Sequence, residues 1–401
     1  LALAHMYSGD TATATRSLEK ALQVSRQAGT IINAALALCH LAELCLLEGQ
    51  LGKAEKRYEE ALALAVDEKG QRLPVAGMAL IGLGHGLLER NDLTAAGRCV
   101  QEGIRLSSRW GEPGALQGYT VLAQLKKAEG DFSEARSLLQ KAAQIAARFD
   151  AMDMDDVSVG IAQAQLALAE GDLEGAERWA RERGLNACPE ALALEAKPGQ
   201  DSFMHNHFRQ SETLTLVRLL LAQGGAKAKD GLERASEFLE QLLLQAEVHG
   251  QGWRTIEVLA LSALVSQARG DAAEAAQALD RALPMARSEG YVRIFVDEGE
   301  PMAALLQEAF LRGTTPHYVR QLLQAMGVEV NGRPQLARPP QASLSHGQQP
   351  LVEALSKREL EVLRFLATSL SSREIAEHLY VSVNTVRSHI RHIYGKLDAH
   401  S

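Results

Sequence analysis

The sequence lacks what usually marks an enzyme or a membrane protein. Its four cysteines, Cys39, Cys45, Cys99 and Cys188, are scattered, with neither metal-ligand spacing nor a dense disulfide pattern. Buried thiols in a reducing cytoplasm are therefore expected. No apolar run approaches the roughly 18 residues that a membrane helix needs, and no signal peptide is visible. No nucleophile elbow or zinc motif occurs, and no Gly-rich stretch ends in Gly-Lys-Ser or Gly-Lys-Thr. Isolated Asp-Glu pairs sit on solvated helix faces, so no catalytic residues and no enzyme activity are expected in residues 1–401. Tryptophan is sparse too: Trp110, Trp179 and Trp253 read as packing residues, with Trp253-Arg254 a weak pocket candidate.

What is present is length, a split in charge and repetition. The 401 residues allow two or three domains at roughly 150 residues each. The net charge of −8 is uneven: residues 351–401 carry seven Lys and Arg against six Asp and Glu, so the remainder holds the acidic excess. Most of the molecule would repel nucleic acid, and only the C-terminal segment can approach it.

Residues 1 to about 290 repeat at intervals of about 40 residues. The dipeptides Gly9-Asp10, Gly49-Gln50, Asn91-Asp92, Gly130-Asp131, Gly171-Asp172 and Gly270-Asp271 mark turns, and an alanine follows four residues after each, at Ala14, Ala54, Ala96, Ala135, Ala176 and Ala275. In four units another alanine comes seven residues later, at Ala21, Ala61, Ala142 and Ala282. Small residues at helical spacing let two helices approach closely, while glycine supplies the left-handed turn between them. A second set of breaks, Gly29, Gly70, Gly111, Asp150, Gly250 and Gly290, closes the units. A stack of helical hairpins is expected, curved and with an extended concave surface. The regularity lapses between about 185 and 210, where Pro189, Pro198, Gly199 and His205-Asn206-His207 intervene. The two histidines lack a carboxylate or thiol at metal-binding spacing, so a loop is expected there and no metal site. Tyr291, Ile294, Phe295 and Val296 then form an apolar cluster, and Glu300-Pro301 opens a helix that caps the stack.

Residues 328–352, rich in Pro, Gln, Ser and Gly, read as a linker. Beyond them two capping boxes, Ser356 with Glu359 and Ser371 with Glu374, each start a helix. Leu360, Leu363, Leu366 and Ala367 form the inner face of the first, and Ile375, Ala376 and Leu379 that of the second. From Ser382 a third helix carries Val386, Ile390, Ile393 and Leu397 as one inward stripe. Asn384, Arg387, Ser388 and Arg391 lie on its opposite face, and Thr385 lies in its first turn, placed for phosphate. A helix seated in the major groove uses such positions, and arginine forks pair bidentately with guanine or phosphate. An amphipathic helix with a merely solvated polar face is the bland alternative.

The run Ser356, Arg358, Glu359, Ser371, Glu374, Ile375, Ala376, Ser382, Thr385, Val386, His389 and Lys396-Leu397 resembles the LuxR-type (GerE-like) helix-turn-helix. The resemblance implies that Arg387, Ser388 and Arg391 face bases and nearby phosphates, and that Thr385 and Lys396 touch the DNA backbone. Ser369 stands where that family usually has Gly, and a fourth, dimerising helix would follow Ser401. The repeats resemble tetratricopeptide repeats. The segment 289–310 is similar to that preceding the reader in large ATP-dependent LuxR-family regulators of the maltose-regulon-activator type. That likeness implies a nucleotide-binding domain ahead of Leu1, so ATP is expected there and no cofactor in residues 1–401. Both ends are read as truncations.

The expectation is thus an all-α chain, a tetratricopeptide-like solenoid over 1–327, a linker over 328–352 and a LuxR-type helix-turn-helix over 353–401. Its expected role is a cytoplasmic transcription regulator of the activator type. Expected partners are double-stranded DNA, further copies of itself on DNA, a small-molecule or protein effector on the repeats and RNA polymerase, with no membrane. The competing reading is a helical-repeat interaction scaffold whose helix-turn-helix binds protein.

Overall fold

A computed structural model describes residues 11–148, 153–185, 203–223, 228–330, 362, 385–386 and 390. The chain divides into two compact units, Leu1–Ala337 and Arg338–Ser401. The first is built from antiparallel helices. After α1 (Thr11–Gln27) come the hairpins α2 (Ile31–Leu47) with α3 (Leu51–Leu64), α4 (Ala76–Glu89) with α5 (Leu93–Ser107), and α6 (Leu116–Ala128) with α7 (Phe132–Arg148). They continue as α8 (Asp153–Glu170) with α9 (Leu173–Glu182), α10 (Phe203–Ala222) with α11 (Ala228–Val248), and α12 (Gly252–Arg269) with α13 (Ala272–Glu289). No strand occurs among the described residues, only an isolated bridge between Val66 and Arg72.

At four of the six hairpin turns the dipeptide does two jobs. Asn91, Gly130, Gly171 and Gly270 take positive φ and end the first helix, and the aspartate that follows caps the second. Asp92, Asp131, Asp172 and Asp271 each accept a backbone N–H three residues on, at 3.0, 3.1, 2.9 and 3.0 Å. The alanines at the fourth position are at most 1% exposed, and Ala61, Ala142 and Ala282 are fully buried. Ala21 differs, for it is exposed while Leu18 and Leu22 make the buried contact of α1.

The two helices of a hairpin differ in kind. The second, such as α5, buries one stripe (Ala96, Val100, Gly103, Leu106) and shows solvent the rest. The first is apolar nearly all round: α12 buries Ile256, Val258, Leu259, Leu261, Leu264 and Val265, so it must be covered on several sides. The first helices line the inside of the curve.

His205, Asn206 and His207, expected in a loop, lie within α10. Pro189, Pro198 and Gly199 all precede Phe203, so nothing interrupts the helix that buries Leu214, Leu216, Val217 and Leu219. Trp110, expected to pack, is 48% exposed. The short α14 (Arg293–Val296), α15 (Gly299–Arg312) and α16 (Pro316–Ala325) close the stack around Phe295, Met302, Phe310 and Leu322, with the Tyr318 hydroxyl donating to the Tyr291 carbonyl.

The solenoid curves far enough to meet itself. Near the start, α2 and α4 contact α12 and α14 near the end. Val292 donates its backbone N–H to the Glu89 carbonyl at 2.8 Å, and Gly52 donates to Glu289 Oε2 at 3.2 Å. Arg293 Nη1 donates to Asn91 Oδ1 at 3.2 Å, and Lys127 Nζ lies 3.0 Å from Asp297 Oδ2. Glycine on both sides makes the approach possible. A Cβ on Gly49 would lie 2.6 Å from the Trp253 nitrogen, and one on Gly252 would lie 2.5 Å from the Glu48 carbonyl.

Gly49→Ala and Gly29→Ala separate closure from turn strain, since both positions have positive φ but Gly29 has nothing within 4 Å of its added Cβ. In urea denaturation both should lose about 1–2 kcal/mol from left-handed strain, and Gly49→Ala should lose at least about 1 kcal/mol more for the clash. Equal losses would contradict the close approach.

Candidate functional site

Closure turns the concave face into a lumen of about 980 Å³, within the range of small-molecule sites. Helices α2, α4, α6, α8, α10 and α12, together with the segment from Tyr291 to Pro301, line it. Much of the wall is apolar, which makes its charged residues conspicuous.

Seven of those residues form two groups that meet at the adjacent Asp297 and Glu298, while His40 and Glu43 pair separately at 2.9 Å. Arg254 lies in the first turns of α12 with its side chain 2% exposed. It donates from Nη1 to Glu257 Oε2 at 2.7 Å and from Nη2 to Ser211 Oγ at 2.8 Å, and its guanidinium stacks 4.6 Å from the Trp253 ring. Glu257 also accepts from Arg218 Nη2 at 3.0 Å, and Arg218 reaches Glu298 Oε1 from Nε at 2.9 Å and from Nη2 at 2.7 Å. The neighbouring Asp297 pairs with Lys127 and Arg293.

Burial and pairing push these groups in different directions. For Glu257, burial opposes ionisation, but Arg254 and Arg218 outweigh it and hold its pKa below the ordinary range. Asp297 is likewise lowered, because Lys127 and Arg293 overcome its desolvation. Arg218 loses hydration on burial, yet Glu298 and Glu257 raise its pKa. Burial lowers His207 to about 3, helped by Arg254, and lowers His85 as well. Glu89 stands apart: burial, with Asp297 and Glu257 nearby, raises it to about 8 against the pull of Arg293 and Lys127. His85 Nε2 is 3.8 Å from Glu89 Oε1, beyond hydrogen-bond reach, and at neutral pH both groups are uncharged.

Four lumen side chains retain a buried polar atom without a hydrogen-bond partner: Arg218 Nη1, Arg254 Nε, Arg293 Nε and Glu89 Oε2. Three are donors, and a protonated Glu89 is a fourth. Of this constellation the sequence suggests only Trp253-Arg254. The remainder comes from hairpins far apart in the chain, although polar residues inside otherwise apolar inner helices were a usable signal. No group of three or more potential metal ligands occurs among the described residues. Cys39 is buried and its thiol is pushed up to about 12, first by desolvation and then by Glu43; Cys45 and Cys99 are half-buried.

Of the expected DNA-contacting residues, Thr385 is described: it is helical and half-buried, followed by a fully buried Val386 and a half-buried Ile390, both in the expected inward stripe. Val362, in the expected first helix, is helical and fully buried. Asn384, Arg387, Ser388, Arg391 and Lys396 lie outside the described residues, as do both capping boxes and the expected linker from 331 on.

Residues 1–312 match the family model of the MalT-like TPR region. The chain belongs to the MalT-like TPR family. Residues 353–401 of this MalT-like chain match the model of bacterial regulatory proteins, luxR family. It is 26% identical over 426 residues to the HTH-type transcriptional regulator MalT of Klebsiella pneumoniae (strain 342), covering 99% of this chain and 44% of that protein. To the HTH-type transcriptional regulator MalT of Serratia proteamaculans (strain 568) it is 24% identical over 403 residues, covering 98% and 42%. The MalT-like chain thus spans less than half the length of these curated relatives. A crystal structure of BtubC (BKLC) from P. vanneervenii aligns at 20% identity over 70% of this chain and 91% of that one, with a TM-score of 0.37, too distant to bear on the fold.

The raised Glu89 pKa has a stability consequence. A folded-state pKa above the ordinary 4.5 means that the contribution of Glu89 is complete below about pH 4.5 and is lost as pH rises through about 8. Glu89→Gln keeps the shape and removes the titration. Urea denaturation at pH 5 and pH 9 should show wild type losing more stability than Glu89→Gln between the two, and parallel losses would contradict a carboxyl buried in the protonated form.

Proposed function

We propose that this chain is the sensing and DNA-reading portion of a cytoplasmic transcription activator. The lumen takes an effector, the repeat domain over 1–327 controls assembly of several copies on promoter DNA through the 328–352 linker, and the 353–401 reader engages the major groove. The observation that carries this reading is the co-occurrence, in one chain, of a luxR-family segment at 353–401 and a repeat unit curved around a largely apolar lumen that carries a cluster of charged residues. The relatives named HTH-type transcriptional regulators support it, since alignment with them runs through both parts. Among the described residues no helix is long and apolar enough to cross a membrane.

In this reading Arg387, Ser388 and Arg391 reach base edges and nearby phosphates, Asn384 contacts an adjacent base, and Thr385 and Lys396 hold the phosphate backbone. Several tethered readers raise one another's effective concentration, turning weak single-site binding into tight array binding. RNA polymerase is then recruited beside the array. No Gly-rich stretch of residues 1–401 ends in Gly-Lys-Ser or Gly-Lys-Thr, so no nucleotide is assigned to them in this reading.

Fluorescence-anisotropy titration of the full-length regulator on promoter duplex tests the proposal. Arg387→Ala and Arg391→Ala should each cost about 1–3 kcal/mol if the arginine makes a bidentate base contact. Affinity of the parent protein should fall steeply with salt as phosphate contacts release counterions. Salt-insensitive binding, unaltered in both variants, would favour a protein-binding scaffold instead.

A further inference from the structure

Two of the outward-facing helices of the repeat unit carry opposite charge. On α5, Arg98 and Arg105 lie with Gln101 on one exposed row, and Arg109 and Trp110 follow in the tight turn Ser108–Trp110. Arg72, exposed on the segment before α4, stands near enough to act on Cys99 together with Arg98, and on Glu102 together with Arg105. Glu102 flanks the row, and Arg105 pairs with it at 2.6 Å. Trp110 ends the row with 48% of its surface exposed.

On α11 the exposed row is acidic. Asp230, Glu233, Glu237 and Glu240 recur at helical spacing on one face, and Leu244 and Val248 continue it, 64% and 72% exposed. Glu247, beside Val248, pairs with Arg281 of α13 at 2.5 Å, one turn before the exposed Met285. Lys229 is exposed at the start of the helix, and Arg234 lies over the Phe238 ring at the flank. Among the described residues, Arg98, Arg109, Glu233, Glu237 and Glu240 have no ion-pair partner.

The two rows match in length and in order. From Arg98 to Arg109, and from Asp230 to Glu240, the chain rises roughly 15 Å at helical pitch. Both rows run from charged to apolar in the chain direction, so a parallel pairing sets arginines against carboxylates and Trp110 beside Leu244 and Val248. Because α5 belongs to the second hairpin and α11 to the fifth, one copy presents both rows at once. A nucleic acid would take the basic row and leave the acidic one unmatched. A second copy of the chain satisfies both.

We propose that the repeat units associate head to tail, the α5 row of one copy seated on the α11 row of the next. The two surfaces differ, so the contact is heterologous, and each copy keeps one row for a further copy. The inference rests on the reading that the repeat domain controls assembly, and it names the surface that does so. Exposed ion pairs set orientation and partner choice more than affinity. Burial of Trp110, Leu244 and Val248 supplies the apolar drive, and the contact is weak enough to depend on concentration.

Sedimentation velocity of the 401-residue chain, without DNA, reads the proposal directly. At about 0.05 M salt the weight-average sedimentation coefficient should rise with protein concentration, and the rise should shrink at about 0.5 M salt as the charges are screened. Arg98→Glu with Arg105→Glu makes both rows acidic, and Glu233→Arg with Glu237→Arg makes both basic. Each double variant alone should associate at least about tenfold more weakly than wild type, because like charges then face each other. An equimolar mixture of the two should associate again, since an acidic row once more meets a basic one. A wild type that stays monomeric at low salt, undiminished association of either variant, or a mixture that fails to associate would overturn the proposal. So would a monomeric wild type whose DNA affinity drops in the α5 variant, which assigns the basic row to nucleic acid. The major-groove contacts proposed for Arg387 and Arg391 are decided separately by the promoter titration.

Discussion

The constraint on which the rest depends is the contact of the repeat unit with itself. Val292 donates its amide to the Glu89 carbonyl, and beside that bond two glycine-bearing backbones, at Gly49 and Gly252, come closer than any side chain allows. A solenoid of hairpins has no intrinsic reason to stop curving at this point, because each unit contacts only its neighbours. Contacts across the seam select one curvature, and once selected it turns the concave face into a partly enclosed lumen.

Enclosure changes the electrostatics of everything inside. On an open concave surface Arg254, Glu257, Arg218 and Glu298 would be exposed ion pairs of small worth. Within the ring they lose most of their water and must satisfy one another, which is why Glu257 and Asp297 are held ionised by their arginine and lysine partners while Glu89 keeps its proton. The same residues tie the closing segment to the inner helices: Asp297 and Glu298 reach Lys127 and Arg218, on α6 and α10. Shape and charge are therefore coupled, and an occupant that alters the one alters the other. Such coupling is what a sensing domain needs, since an effector acts only through its different affinity for two arrangements.

Much of the fold was legible in the sequence. The turn dipeptides and the alanines four residues later mark five of the six hairpins, all but α10 with α11, because turn chemistry and close helix packing are local requirements written in a few residue types. The capping role of Asp92, Asp131, Asp172 and Asp271 goes beyond the reading of those dipeptides as turns, although it too is local. The lumen was legible only in outline. Trp253-Arg254 stood out as a weak pocket candidate, but Ser211, which Arg254 touches, and Arg218 and Glu298, linked to it through Glu257, come from elsewhere in the chain, and no periodicity brings them together. The histidines of α10 misled for a related reason: Pro189, Pro198 and Gly199 suggested a loop that ran on to residue 210, whereas burial of the Leu214–Leu219 face extends the helix back to Phe203. The reader at 353–401 is the reverse case, recognisable from its motif pattern while its expected base-contacting arginines lie outside the described residues.

Ring closure is the claim from which the lumen, its charge set and its suitability for an effector all follow. Native-state hydrogen exchange of the Val292 amide tests it most directly, because among the described residues that N–H finds its partner in the Glu89 carbonyl across the seam. Closure predicts protection comparable to that of amides in the middle of α12. Exchange at the rate of a solvent-exposed loop would mean that the repeats form an open spiral, with no enclosed lumen to hold an effector.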